Sequence, residues 1–255
     1  MTISRSMLLK FFLSAGAAST VSGCDWFAVD EGGQVNVFTA HHGTAVSSAF
    51  PSYGAEGISR VFTNDLGWTI RLTEAYVTTK NVELIGCDGK TTDVSLYWGP
   101  WAEDIIAIGD TLVQGIGGVT SDPSSFCNVR VSYEPFYYTE ITTAGGDNTP
   151  SNAEMDGQTV LLSYVASLDG EEISGTFTTQ ATVVADIDTS AIVDNGPIKV
   201  AADQRVPVEI TLSKTYDRFF DGIDFLTATD ADIEASVIAS LEMDSKATLG
   251  TYLLP

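Results

Sequence analysis

Thr159-Val160-Leu161-Leu162-Ser163-Tyr164-Val165-Ala166 and Ile173-Ser174-Gly175-Thr176-Phe177-Thr178-Thr179-Gln180-Ala181-Thr182-Val183-Val184 flank the pair Asp169-Gly170. Both runs are rich in β-branched and aromatic residues, and Asp-Gly tolerates the positive φ angles that a two-residue hairpin turn requires. The stretch therefore predicts two antiparallel strands. The same signature recurs outward in both directions. Val35, Val37 and Thr39 alternate with Asn36, Phe38 and Ala40; Trp68, Ile70 and Leu72 alternate with Thr69, Arg71 and Thr73. Val82 and Leu84 form a further run toward Cys87, and Cys127, Val129 and Val131 form another. Val206, Val208, Ile210 and Leu212 alternate too, with Pro207 on the other phase. Proline cannot donate to a ladder, so it predicts an edge position or a bulge there. Period-2 patterns place one strand face on a core and the other toward water. The predicted class is all-β, an antiparallel β-sandwich.

One segment breaks this period. After Thr229, the residues Ile233, Val237, Ile238 and Leu241 fall at helical spacing, and Asp232 stands three residues past Thr229 as in a capping box. The pattern predicts one short amphipathic helix near the C-terminus, laid on the sheet. Gly145 to Asn152 reads as a loop between sheet halves.

The first residues follow different rules. Arg5 and Lys10 precede a short apolar run from Phe11 to Ala18, and Val21-Ser22-Gly23-Cys24 follows. Positive residues, an apolar stretch and small residues before a cut are the parts of an export signal. The stretch falls well short of the ~20 residues that span a bilayer. Val21-Ser22-Gly23-Cys24 resembles the lipobox of bacterial lipoproteins, which implies cleavage before Cys24 and acylation of its thiol. Residues 1–23 are then a signal peptide, 24–34 the lipidated cysteine and a tether, and 35–255 a single β-sandwich domain. The implied partner is a lipid bilayer, and the implied address is the cell envelope: the periplasmic face of either membrane, or the cell surface. Asp25 resembles an inner-membrane retention signal, a rule that varies between lineages.

Beyond Cys24 stand 231 residues, with ten bases against 34 acids, a formal charge of −24. Such a surface repels nucleic acid and anionic lipid and concentrates cations. Nucleic acid is thereby excluded as a partner. With Cys24 assigned to lipid, Cys87 and Cys127 remain as an even pair, which an exported chain can bridge.

Candidate chemistry is sparse. His41 and His42 are adjacent and are the only histidines. Imidazole is the commonest transition-metal ligand, so the pair suggests copper or zinc. A strand running through both would turn them to opposite faces, whereas a turn at Gly43 would bring them together. Asp217, Asp221 and Asp224 around Gly222 offer oxygen ligands for calcium, at a spacing unlike an EF-hand loop. Trp98-Gly99-Pro100-Trp101 and Tyr133-Glu134-Pro135-Phe136-Tyr137-Tyr138 group aromatics near turns, where rings can stack on glycan or anchor a protein partner. No Gly-x-Ser-x-Gly, His-Glu-x-x-His or phosphate-loop motif occurs, and a serine triad would have to draw on one of the two adjacent histidines. The expectation is a protein that is not an enzyme.

Two patches carry a family resemblance. Phe62-Thr63-Asn64-Asp65-Leu66-Gly67-Trp68-Thr69-Ile70-Arg71-Leu72 leads through Val82-Glu83-Leu84 to Asp88-Gly89; Val208-Glu209-Ile210-Thr211-Leu212 leads to Phe219-Phe220-Asp221-Gly222-Ile223-Asp224-Phe225. This order resembles the MbnP-like periplasmic lipoproteins found with copper-handling systems. The resemblance implies metal handling. The chain lacks that family's cysteine-rich pattern, so no family ligand is carried onto a residue here. The sequence thus predicts a lipid-anchored envelope protein that binds copper or zinc through His41 and His42. The alternative is a structural or interaction protein that meets glycan or a partner through Trp98 and Trp101.

Overall fold

The computed structural model describes residues 32–141, 149–192 and 196–253. The chain divides into two units, Met1–Asp30 and Glu31–Pro255. The first, with the expected signal sequence and lipobox and Cys24, lies outside the described residues, as does the first half of the Gly145–Asn152 loop.

Two sheets carry the second unit. The smaller holds β1 (Gly33–His42), β5 (Ser95–Leu96), β7 (Gln114–Ser121), β13 (Val208–Thr215) and β14 (Lys246–Leu249), in the order β14-β13-β1-β7-β5. The larger is built on β3 (Thr69–Gly86), β8 (Ser124–Tyr133), β9 (Val160–Leu168), β10 (Glu171–Thr179) and β11 (Val183–Asp188), ordered β10-β9-β3-β8-β11. Four short strands extend it: β2 (Arg60–Thr63), β4 (Thr91–Asp93) and β6 (Trp101–Asp104) on β3, and β12 (Ile198–Val200) on β8. The fold is an all-β sandwich, as the alternation predicts.

Its details depart from the sequence pattern in five places. Gly33 and Gln34, assigned to the tether, already pair with Ser121 and Thr120. The Trp68 and Val82 runs are one strand of 18 residues, β3, whose register shifts between Leu72 and Glu74 and again between Thr79 and Asn81. Such bulges bend a long strand, letting its first half pair with β9 and its second with β8. The hairpin at Asp169 (φ 52°) and Gly170 (φ 92°) joins β9 to β10 as expected. The run to Val184, however, breaks after Thr179, and β11 crosses to β8 at the far edge of the sheet. β13 is an interior strand, parallel to β1, so the small sheet is mixed; Pro207 is accommodated just before it. Finally, the helix is followed by one more strand, β14.

Inward residues of both sheets form the main core, including Val35, Val37, Trp68, Ile70, Leu72, Leu84, Val129, Val131, Leu162, Ile210 and Leu212. The helix α1 (Asp230–Met243) packs on β10, β11 and β13 through Ile233, Val237 and Leu241, all buried. Thr229 and Asp232 form the expected capping box: Asp232 N–H donates to Thr229 Oγ1, and Thr229 N–H donates to Asp232 Oδ2 at 2.8 Å. Thr229→Ala is expected to cost about 1 kcal/mol in chemical unfolding, the usual worth of an N-cap hydroxyl. Cys87, just past β3, is bridged to Cys127 of β8 with a Cα–Cα distance of 4.9 Å.

Candidate functional site

β1 runs unbroken through His42, so strand geometry separates the two histidines. His41 continues the Val35-Val37-Thr39 face into the space between the sheets. His42 lies on the outer face of the small sheet. Of the two alternatives the sequence leaves open, the strand runs through both: the rings are buried, but they stand on opposite sides of it, so they do not form the pair expected to bind metal together. Among the described residues, no group of three or more His, Cys, Asp or Glu side chains is placed to hold a metal ion.

His41 belongs to a charged network that joins the sheets. Its Nδ1 donates to Glu103 Oε1 at 2.8 Å, and Glu103 projects from β6 of the opposite sheet. Lys214, the β13 partner of His41 in register, donates from Nζ to Glu103 Oε2 and to Thr39 Oγ1 at 2.8 Å. The Lys214 ammonium also lies 5.7 Å from the centroid of the Tyr133 ring. Glu103 and Lys214 are each 1% exposed and His41 is 0% exposed, so water plays no part in solvating these charges. Burial pushes the Glu103 carboxyl up, but the Lys214 charge and the His41 hydrogen bond outweigh it and hold the group well below the usual carboxylate range.

A second part of the network opens toward the surface. Asp110 Oδ1 lies 3.8 Å from His41 Nε2, 3.3 Å from Arg60 Nε and 3.0 Å from the Tyr216 hydroxyl, which donates to it. Burial, then the Asp110 charge, pushes the Tyr216 phenol far up. Arg60 is held in turn by the carbonyls of Ile105 and Ile108. Nearby, Asp217 accepts from Thr44 N–H at 2.8 Å and from the Tyr53 hydroxyl at 3.0 Å. Burial and Asp217 together push the Tyr53 phenol up to about 12. Gly43 permits this arrangement, because a Cβ there would come within 2.0 Å of the Tyr53 ring. A cavity of about 330 Å³, lined by Arg60, Asp110, Glu56 and Phe50 among others, leads in from solvent.

The chemistry of His41 follows from its partners. Glu103 as a carboxylate only accepts, so Nδ1 carries a proton, and in the neutral form of the ring the lone pair is at Nε2. That atom is buried and has no hydrogen-bond partner. His42 is different. Its Nδ1 is 2.8 Å from Gly43 O and its Nε2 is 3.1 Å from Ser213 Oγ, so both nitrogens are engaged. Burial holds this imidazole below its ordinary pKa, against the opposing pull of the Gly43 carbonyl.

The remaining candidates are dispersed. Asp217 serves Thr44 and Tyr53, Asp221 faces Arg218 at 3.5 Å, and Asp224 caps its own turn at Leu226. These carboxylates do not form a calcium cage. Trp101 is 7% exposed and part of the core, while Trp98 is half-buried beside it with ring centroids 5.5 Å apart. The turn thus does not present two exposed rings. Phe136 is fully buried and Tyr137 faces solvent.

Fold and site together define a disulfide-bonded β-sandwich whose two sheets are joined by a buried Lys-Glu-His network. No protein-family description matches the sequence, and no curated protein matches it. Among solved structures, the chain is similar to MbnP from Methylosinus trichosporium, with 11% identity, a TM-score of 0.40, and coverage of 85% of this chain and 98% of that one. A likeness at that level carries no argument about function. No helix among the described residues is long and apolar enough to cross a membrane.

Proposed function

We propose that this chain is a lipid-anchored envelope protein whose sandwich holds one transition-metal ion, copper or zinc, with His41 as its principal ligand. The observation that carries the reading is the orphaned Nε2 of His41: buried, without a partner, and 3.8 Å from a carboxylate oxygen. His41, with Asp110 beside it, would hold the ion. A carboxylate behind a ligating imidazole fixes its tautomer and raises its basicity, the role Glu103 is placed to fill. A cavity of about 330 Å³ lies beside Asp110. Arg60 and Tyr216 already engage Asp110, which leaves the imidazole nitrogen to carry most of the binding. That balance favours a borderline ion such as copper or zinc over calcium, which seeks many oxygens. The anchoring part of the reading rests on Val21-Ser22-Gly23-Cys24, and the acidic composition argues against nucleic acid. The reading assigns no catalysis to the metal site.

Titration of the chelator-treated mature protein with Cu(II) and Zn(II) tests it. Expected is one equivalent bound, lost in His41→Ala, weakened 10- to 100-fold in Glu103→Gln, and retained in His42→Ala. A wild-type protein that takes up neither ion, or an unchanged affinity in His41→Ala, overturns the reading.

A further inference from the structure

The other histidine sits on the opposite face of β1, in a different setting. Gly43 O can only accept, so His42 Nδ1 carries the ring proton and Nε2 presents a lone pair. Ser213 Oγ lies 3.1 Å from that lone pair and donates to it. This is the tautomer and contact by which an imidazole activates a serine hydroxyl, with the Gly43 carbonyl as the group that orients the ring. The pairing of β1 with β13 positions the two side chains, and the Phe50 ring packs on the imidazole at a centroid distance of 4.3 Å.

Space and charge are present at the same point. A cavity of about 90 Å³ is lined by His42 and Ser213 together with Arg218, Lys246 and Asp244. At ~30 Å³ per water-sized group, it has room for an acetyl unit or one of similar size. Phe50 and Leu253 also line a neighbouring hollow of about 530 Å³, whose other walls include Phe38, Leu112, Val113 and Tyr252. One side is small and carries two cations and a carboxylate, the other is larger and mostly apolar.

We propose that Ser213 and His42 form a hydrolytic dyad for short-chain carboxylic esters, with the acyl group in the small cavity and an apolar alcohol portion in the hollow. Ser213 Oγ attacks the carbonyl carbon while its proton passes to His42 Nε2. The carbonyl electron pair moves to oxygen, toward the Arg218 and Lys246 charges. The tetrahedral adduct then expels the alcohol, which takes the proton from His42. Water repeats the sequence on the acyl-serine, releasing the carboxylic acid and restoring both residues, with no other reactant consumed. A neutral carbonyl stands behind the imidazole in place of a carboxylate, so turnover is expected to be slow.

The mature disulfide-bonded protein is incubated with diisopropyl fluorophosphate and mapped by mass spectrometry, alongside assays of p-nitrophenyl acetate hydrolysis. Expected is one adduct on Ser213 and ester turnover that falls to the uncatalysed rate in Ser213→Ala and in the fluorophosphate-treated protein. Labelling of the wild-type protein keeps the test independent of whether any variant folds. No adduct on Ser213, adducts on other serines alone, an adduct without wild-type turnover, or wild-type turnover in Ser213→Ala each overturns the proposal.

Discussion

Lys214→Met is expected to destabilise the protein by about 3–5 kcal/mol, the cost of stranding a buried charge when its partner is removed. Glu103 would keep the His41 and Thr39 hydrogen bonds but lose the Lys214 ammonium. For a chain of this length each kcal/mol lowers Tm by about 2–4 °C, so the drop is about 6–20 °C. The double variant Lys214→Met with Glu103→Gln should recover much of the loss. An intact buried pair and an apolar replacement are often close in energy, because desolvation offsets attraction. A single variant that melts with the wild type would show that water or another group compensates Glu103. The network also sets an acid limit. The folded-state pKa of Glu103 lies well below its unfolded value of ~4.3, so its contribution is complete above that value. It is lost progressively as pH falls below ~4.3 toward the depressed folded pKa. Acid titration of the wild type should therefore show a loss of stability on this side that is much reduced in the double variant.

Removing the disulfide ranks beside this. Cys87 and Cys127 close a loop of sequence separation 40, and on the chain-entropy model the crosslink stabilises the fold by about 4 kcal/mol. The bond joins the end of the longest strand, β3, to its neighbour β8, and Cys87 N–H also donates to Ser125 O at 2.9 Å. Cys87→Ala with Cys127→Ala is thus expected to keep the fold at low temperature while shifting the urea midpoint by the equivalent of about 4 kcal/mol. An unchanged midpoint would mean that residual structure restrains the unfolded chain as much as the crosslink does.

Parts of the site were legible before the fold was known. His41 stood out, and so did the rule that an unbroken strand would part it from His42. Their partners did not, though a signal was available. Lys214 continues the apolar phase of Ile210 and Leu212, Arg60 precedes Phe62 by two, and Glu103 stands between Trp101 and Ile105. A charged residue in the apolar phase of a strand must be paired inside the core: Lys214 finds Glu103, and Arg60 finds Asp110. In a chain with 34 acids, Asp110 carries no local mark that separates it from carboxylates in water.

What the sequence determined by itself was the local part: strands from period 2, the hairpin from Asp169-Gly170, the helix start from Thr229 and Asp232, and the even pair Cys87 and Cys127. Each depends on residues close in the chain, or on an even count of thiols. The tertiary structure decided the rest: the parallel pairing of β1 with β13, the passage of β11 to the far edge, and the union of the two β3 runs. It alone brought Glu103 of one sheet to His41 and Lys214 of the other, and Ser213 to His42. Those contacts span 62 to 171 residues of sequence. Alternation tells a residue which face to take, but which partner waits there is set by strand order, and strand order depends on long-range packing that no local pattern encodes.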